Sequence, residues 1–359
     1  MKKLLITILL LSLVSCVPVP DSHPINTPAA TTAMETATTA AILPQVTQTI
    51  NGIVQRDYDP VEWRLIYDKD MVWKSSISPT QQIWIMLDKG EIAFLDGDKW
   101  VLFTEKDYGL PDSPYDMAIA PDGAVWLAGL YAISRYQNGR WDVFPMPNVS
   151  ENAFPRLAID PSGVIWVATP LCYCESNIKR FNGTSWDELS ITDKHLEASQ
   201  LLFTSDGSMW ASFAWKGGIG RYDGTTWNIY PGTDLWPSGP YSDIRIASDN
   251  QGNIFGIYER QKWVVKMSSD GSISKILFDD SSMELNPIQL RLFIDRQDTI
   301  WINACLKNNK NACLAYYKDN QWVSLVNLPF STVVDINELL DGTLLVATEK
   351  GLYQFKPAK

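Results

Sequence analysis

The sequence predicts an all-β chain folded as a seven-bladed β-propeller. One short phrase recurs along it: an apolar run, a tight turn carrying Asp or Gly, then a hydrophobic pair that usually ends in Trp. The hydrophobic anchors of this phrase are Trp84, Trp126, Trp166, Trp210, Phe255, Trp301 and Leu345. Their spacing of 40–46 residues is typical of four-stranded propeller blades.

A second phrase runs half a period out of step and marks outer strands. It is an Asx-Gly or related turn followed by Trp, as in Asn138-Gly139-Arg140-Trp141. Such turns join antiparallel strands. The outer-strand positions of six blades are Trp100, Trp141, Trp186, Trp227, Ile273 and Trp322.

The two ends of the predicted propeller, residues 61–359, complement each other. The last repeat has three strands and ends at residues 351–355, whereas residues 62–67 read as an outer strand with no inner strands before it. We therefore expect the N-terminal strand to complete the last blade. This closes the ring and leaves no open blade edge at the junction.

The N-terminal residues 1–16 read as a signal peptide: two lysines, an apolar run, and then Leu13-Val14-Ser15-Cys16. This tetrapeptide resembles the bacterial lipobox. The resemblance implies a diacylglycerol on Cys16 and a lipid anchor on the extracytoplasmic side of a bacterial cell envelope. An ordinary secretory signal that ends in Cys is the alternative. The apolar run is too short for a spanning helix.

Residues 17–60 are rich in Thr, Ala and Pro, which predicts a flexible tether between anchor and propeller. The chain carries a formal net charge of −11. Nucleic acids and anionic membrane surfaces bind proteins that carry net positive charge, so we expect neither as a partner. We expect attachment to the membrane only through the lipid.

Four cysteines remain after Cys16. Cys305 and Cys313 lie symmetrically about Asn309 in a predicted hairpin, so they are expected to pair across it. Cys172 and Cys174 lie in the equivalent loop of blade three, and disulfides are the default in an exported protein. No His lies near either pair, so we expect no metal site and no cofactor.

The stretches Tyr108-Gly109-Leu110-Pro111 and Ala120-Pro121-Asp122-Gly123-Ala124-Val125-Trp126 resemble the two-component regulator propeller repeat. The resemblance covers most of residues 61–359 and rests largely on structural motifs. It implies an extracytoplasmic sensor-like propeller, either in a membrane kinase or in a secreted or anchored protein. No kinase or output domain follows in this sequence.

The repeat is also similar, more distantly, to that of streptogramin lyases. In that family the chemistry depends on His and acidic residues around a divalent metal. This sequence has two His, His23 in the tether and His195 in an inter-blade loop, without partners at ligand spacing. The turn at Asp206-Gly207 suggests a sialidase Asp box, but it occurs once.

Ten residues before each second-strand anchor, at the start of the innermost strand, every side chain is polar. The series is Lys74, Asp116, Arg156, Gln200, Arg245, Arg291 and Asp335. The next position is apolar in six of seven repeats, so the polarity belongs to one structural position. These seven residues, the polar ring, are expected to meet at one mouth of the central channel.

Two interpretations of the polar ring stay open. Its groups pair with one another across the channel, because charges near an apolar wall are usually paired. Alternatively, the arginines present their planar forks to a carboxylate, sulfate or uronate. Trp73, Trp236 and Tyr241 are placed on the same face, where aromatic planes stack on sugars or cations.

From these observations we expect a lipid-anchored, ligand-binding or interaction module with an acidic or carbohydrate ligand on one face, and without catalysis. A lyase or hydrolase that uses carboxylates in the channel is the alternative. A scaffold that holds other envelope proteins is a third. Propellers host all three, so the fold alone does not choose.

Overall fold

The computed structural model describes residues 46–356, except 52, 171–176, 190, 192–195, 216–217, 231–243, 259–260, 279–282, 286–289 and 308–312. The predicted signal peptide with Cys16 lies outside the described residues, as do His23 and His195. Three strands precede the first complete blade: β1 (Val46–Asn51), β2 (Ile53–Asp57) and β3 (Trp63–Tyr67).

Blades one to four are four-stranded antiparallel sheets. Blade one is β4 (Val72–Ile77), β5 (Ile83–Leu87), β6 (Ile92–Asp96) and β7 (Lys99–Phe103), followed by helix α1 (Glu105–Tyr108). Blade two is β8 (Asp116–Ile119), β9 (Val125–Ala128), β10 (Ala132–Gln137) and β11 (Arg140–Pro145). Blade three is β12 (Arg156–Ile159), β13 (Ile165–Ala168), β14 (Ile178–Phe181) and β15 (Trp186–Leu189). Blade four is β16 (Leu196–Phe203), β17 (Met209–Trp215), β18 (Ile219–Tyr222) and β19 (Trp227–Tyr230).

The remaining blades follow the same plan with additions. Blade five is β20 (Ile244–Ser248), β21 (Ile254–Tyr258), β22 (Trp263–Met267) and β23 (Ile273–Phe278), followed by β24 (Met283–Leu285). Blade six contains β25 (Leu292–Ile294), β26 (Ile300–Ile302), β27 (Ala304–Leu306), β28 (Leu314–Lys318) and β29 (Gln321–Val326). Blade seven contains β30 (Val333–Glu338), β31 (Leu344–Thr348) and β32 (Gly351–Phe355). Over the described residues, no helix has the length and apolar character to cross a membrane.

The predicted closure of the ring is confirmed. The sheet order of blade seven is β3-β32-β31-β30, so the N-terminal strand is its outer strand. Trp63 pairs with Phe355 in the antiparallel register, and both side chains are buried. The seven-bladed all-β architecture thus follows the repeat in the sequence.

The strands β1 and β2 run along the outside of two blades, within the stretch predicted as a tether. The first pairs in parallel with β23 of blade five, and the second pairs in parallel with β29 of blade six. We call these two strands, Val46–Asn51 and Ile53–Asp57, the strap. The tether prediction, residues 17–60, therefore does not describe these residues, because their backbone covers two outer blade edges instead of running free.

The tryptophans of the two phrases fasten neighbouring blades. Trp84, Trp126 and Trp301 of the second strands are buried. The outer-strand residues donate their indole N–H to the outer strand of the preceding blade in three cases: Trp100 to Ile66 O at 2.9 Å, Trp186 to Pro145 O at 2.7 Å and Trp322 to Leu277 O at 3.0 Å. Each indole thus combines buried apolar area with one inter-blade hydrogen bond.

Cys305 and Cys313 form a disulfide with an S–S distance of 2.00 Å. Their surroundings are more elaborate than a plain hairpin, because Cys305 lies in β27, which pairs with β24 in a separate two-stranded sheet. Cys172 and Cys174 lie outside the described residues.

Candidate functional site

All seven residues of the polar ring line one cavity of about 550 Å³ at the mouth of the central channel. This volume lies within the range of small-molecule sites. Six ring residues lie within the first three positions of an innermost strand or directly before it, and Gln200 is the fifth residue of the longer β16. The fold itself thus brings together side chains that are some 40 residues apart in sequence.

The register of the blades explains this convergence. Asp116 pairs with Ala128, Arg156 with Ala168, and each other paired ring residue stands opposite the same position of its second strand. In blades one, four and seven the register shifts just before the ring position. Such irregularities in strand pairing re-aim a side chain.

The ring side chains bond the backbone of the neighbouring innermost strand. Asp116 Oδ2 accepts a hydrogen bond from Leu157 N at 2.7 Å, and Asp335 Oδ2 accepts one from Ser75 N at 3.0 Å. Gln200 both accepts from Ile246 N at 3.1 Å and donates to Ile246 O at 2.9 Å. In each case the partner is the residue that follows the next ring position.

This pattern gives the polarity a structural cause. An innermost strand has a free edge on the channel, where backbone N–H and C=O groups lack a neighbouring strand. Buried groups of this kind need hydrogen-bond partners. Asp116, Gln200 and Asp335 supply them and link successive blades around the channel.

The charged residues are distributed unevenly around the ring. The two carboxylates belong to blades two and seven, on either side of blade one, whose Lys74 forms an ion pair with Asp116. The arginines of blades three, five and six occupy the opposite arc, and Arg156 Nη1 donates to Tyr115 O at 3.1 Å. Four cations and two anions leave the ring formally +2, and the neighbouring Asp88 lowers the cavity to +1.

The two ring carboxylates respond differently to burial. Burial acts to raise the pKa of Asp116, but the charges of Lys74 and Arg156 and two accepted hydrogen bonds outweigh it and lower the pKa from its ordinary value. Burial raises the pKa of Asp335, because Lys74 and Arg291 offset it only in part. Asp116 is therefore the better stabilised anion.

Aromatic side chains form one wall of the cavity. Trp73 donates its indole N–H to Asp88 Oδ1 at 2.7 Å, and Tyr115 and Phe154 meet edge to face with ring centroids 5.8 Å apart. Phe154 is 46% exposed. The predicted residues Trp236 and Tyr241 lie outside the described residues. Tyr108, a loop aromatic of the same face, is buried and donates its hydroxyl to Gly90 O, so its role is packing.

Sequence reasoning missed two residues of this region. Asp88 fixes the Trp73 indole, and Asn337 donates to both Asp335 Oδ2 and Ser75 O at 3.0 and 2.9 Å. Asn337 lies two residues after its ring position, on the same side of β30, and this period of two was the available signal. Among the described residues no group of three or more His, Cys, Asp or Glu is placed to hold a metal ion.

Comparison with solved structures finds the same fold in several propellers. A catalytically inactive virginiamycin B lyase from Staphylococcus aureus, solved with quinupristin, has a TM-score of 0.65 at 16% identity, over 83% of this chain and 100% of that one. YCF48 bound to D1 peptide has a TM-score of 0.63 at 15% identity, over 86% and 100%.

The extracellular domain of the putative one-component system BT4673 from B. thetaiotaomicron has a TM-score of 0.61 at 14% identity, over 83% of this chain and 40% of that one. No protein-family model matches the chain, and no curated protein sequence matches it. At these identities the likeness establishes the propeller fold and nothing more specific.

Proposed function

We propose that this chain is a sensor-like, ligand-binding propeller whose channel mouth takes a carboxylate, sulfate or uronate group. The observation that carries the proposal is the arc of Arg156, Arg245 and Arg291, which share one cavity in a chain of net charge −11. Planar guanidinium groups bind such anions with paired, charge-assisted hydrogen bonds.

Three residues of the polar ring hold neighbouring blades together, so we do not assign them to ligand binding. Asp116, Gln200 and Asp335 are engaged with the backbone of neighbouring blades, so we assign them to positioning. The arginine arc supplies the cationic groups for the anion, although Arg156 and Arg291 also donate to backbone carbonyl groups. The wall of Trp73 and Phe154 supports the body of the ligand. An acidic saccharide fits both surfaces, because its carboxylate or sulfate can bind the arginines and its sugar ring can stack on the aromatic side chains.

Titration calorimetry with oligogalacturonate, glucuronate and sulfate tests this proposal. The variant Arg245→Gln/Arg291→Gln removes two charges and keeps N–H donors for nearby carbonyls, so its melting temperature should change little. Each lost contact should weaken binding by about 1.5–3 kcal/mol, roughly 10- to 150-fold. Binding should also weaken as ionic strength rises.

Arg64→Ala/Lys99→Ala is the matched control, because it removes two exposed cations that lie on outer strands and do not line the cavity. It should bind like the wild type. If none of the three probes binds, or if the Gln variant binds as tightly as the control, the anion site is wrong. A large fall in melting temperature without a ligand would identify the arginines as structural.

One observation favours a second function, a lyase or hydrolase. The pKa values of Asp116 and Asp335 are displaced in opposite directions within one cavity, which is how acid–base enzymes divide roles between two carboxyl groups. An enzyme would convert the bound ligand, and Asp335→Asn would abolish turnover while binding persists. Unchanged ligand after prolonged incubation would exclude this function for that ligand.

We also propose that the propeller is held at the extracytoplasmic face of a bacterial envelope by lipid on Cys16. The support is the lipobox-like tetrapeptide and the extracellular location stated for the BT4673 domain, which has the same fold. In this setting an envelope protein that presents an acidic segment is a further candidate ligand for the channel mouth.

A further inference from the structure

A second cavity, of about 570 Å³, lies between blades three and four. It is formed where hairpin turns close the blades, at Asp160 of blade three and at Asp206 and Asp223 of blade four. The polar ring lies at the start of the innermost strands, and these turns lie at the opposite strand end. We call this cavity the turn groove; it opens on the face opposite to the channel mouth.

Aromatic side chains form the walls of the turn groove. Trp166 and Phe203 are half-buried, with ring centroids 5.8 Å apart. Tyr222 and Tyr230 are half-buried on the side of blade four. All four pack partly against the cores between blades and also line the groove, so their positions are fixed by the fold. Such preset aromatic surface binds sugars without a large ordering cost.

Arg221 and Asp206 form one exposed pair of opposite charges in the groove, whose lining holds three carboxylates and one cation. Arg221 Nη2 donates to Ser208 Oγ at 2.8 Å and lies 3.9 Å from Asp206 Oδ2. Both side chains of this pair are exposed, by 49% for Arg221 and 64% for Asp206. Asn228 adds an exposed amide on the same blade. The groove thus offers donors and acceptors side by side.

Asp206 accepts hydrogen bonds within its own turn from Thr204 Oγ1, Ser208 N and Ser208 Oγ, and the other two carboxylates are occupied within their turns as well. Asp160 accepts hydrogen bonds from Ser162 N, Val164 N and the Trp166 indole. Asp223 accepts from the backbone N–H groups of Thr225 and Thr226. The three carboxylates repel an anion, and Arg221 together with the hydrogen bonds inside the turns disfavours a cation.

From the aromatic walls and this mixture of donors and acceptors we propose that the turn groove binds a neutral saccharide. Hydroxyl groups both donate and accept, which suits Asp206, Arg221 and Asn228 together, and the apolar face of a pyranose ring fits the aromatic walls. The site is independent of the acidic ligand proposed for the channel mouth.

The test uses full-length protein on an array of neutral glycans, followed by calorimetry with the best neutral oligosaccharide. Asp206→Ala/Asn228→Ala removes exposed polar groups and leaves the aromatic core in place. We expect it to lower affinity at least tenfold. Its melting temperature should fall no further than that of a variant that lacks an equivalent turn carboxylate in another blade, because Asp206 accepts hydrogen bonds from its own turn.

Asp122→Ala/Asp187→Ala is the matched control, since it alters the corresponding turn of blade two and the corresponding outer-strand position of blade three. It should bind like the wild type, and so should Arg245→Gln/Arg291→Gln at the other face. The proposal is overturned if no neutral glycan binds, if the groove variant binds normally, or if the channel-mouth variant loses the neutral sugar.

Discussion

The indole ring of Trp63 stacks on the phenyl ring of Phe355, with centroids 4.3 Å apart and planes inclined by 21°. This contact joins the first strand of the propeller to the last, 292 residues later. Phe330 and Tyr353 complete an aromatic cluster around the same indole. The closure of the ring thus has a packed aromatic centre in addition to its ladder of hydrogen bonds.

Trp63→Ala should therefore destabilise the whole ring. Truncating a buried Trp costs about 3–5 kcal/mol, and the cavity would lie at the junction of the chain ends. Denaturant unfolding measures the loss. Val61→Ala is the control, because Val61 is 91% exposed two residues away and should change stability little. Equal unfolding curves for the two variants would contradict closure through Trp63.

The strap makes a separate prediction. A chain that begins at residue 58 lacks β1 and β2, so the outer strands β23 and β29 become open edges. Hydrogen exchange should quicken in these two strands relative to a chain that begins at residue 44. The strand β19 ends its sheet in both chains and should keep its exchange rate. Uniform exchange in β23, β29 and β19 would show that the strap adds no protection.

The sequence predicted which residues form the polar ring but not which hydrogen bonds they make. A period of 40–46 residues places equivalent positions at the same point of each blade, so Asp116 and Asp335 could be assigned to one mouth from spacing alone. Their hydrogen bonds to Leu157 N and Ser75 N depend on the distance between the innermost strands of neighbouring blades. The spacing of repeats in the sequence carries no information about this distance.

The strap was missed for a different reason. The stretch Val46-Thr47-Gln48-Thr49-Ile50 is rich in β-branched side chains, which favour a strand, but it follows a Pro- and Thr-rich stretch. It also lies outside the repeat, so no periodic anchor marks it. An added outer strand needs only backbone pairing with an existing edge, which leaves a weak side-chain pattern.

Lipid attachment at Cys16 is testable without reference to the ligand. Cells expressing the wild type should incorporate labelled palmitate into the protein, because the lipobox-like sequence directs acylation of the Cys thiol. Cys16→Ala should carry no label and should leave the membrane fraction. Cys305→Ser/Cys313→Ser, which removes two distant cysteines, should keep the label. Equal labelling of the wild type and Cys16→Ala would exclude this anchor.

At neutral pH, Asp116→Asn should lower the stability of the fold, whereas Asp335→Asn should leave it unchanged or raise it. Asp116 is the partner of Lys74, so its loss removes a charge-assisted bond worth about 1.5–3 kcal/mol and should lower stability. Asp335 carries a raised pKa, so its ionised form is costly to bury, and Asn retains an oxygen that accepts from Ser75 N. Asp335→Asn should unfold at an equal or higher denaturant concentration than the wild type. A larger loss for Asp335→Asn than for Asp116→Asn would reverse the assignment.

The dependence of these differences on pH separates the two carboxylates. The folded pKa of Asp116 lies below that of an unfolded Asp, about 3.9, so its stabilising effect is complete above that value and disappears as pH falls through the folded pKa. The gap between the wild type and Asp116→Asn should therefore narrow as pH falls below about 3.9 and through the folded pKa. For Asp335 the folded pKa is raised, so the wild type loses stability relative to Asp335→Asn as pH rises through that value. Unfolding of all three proteins from neutral to acidic pH checks both trends, and parallel curves would show that neither carboxylate is linked to folding.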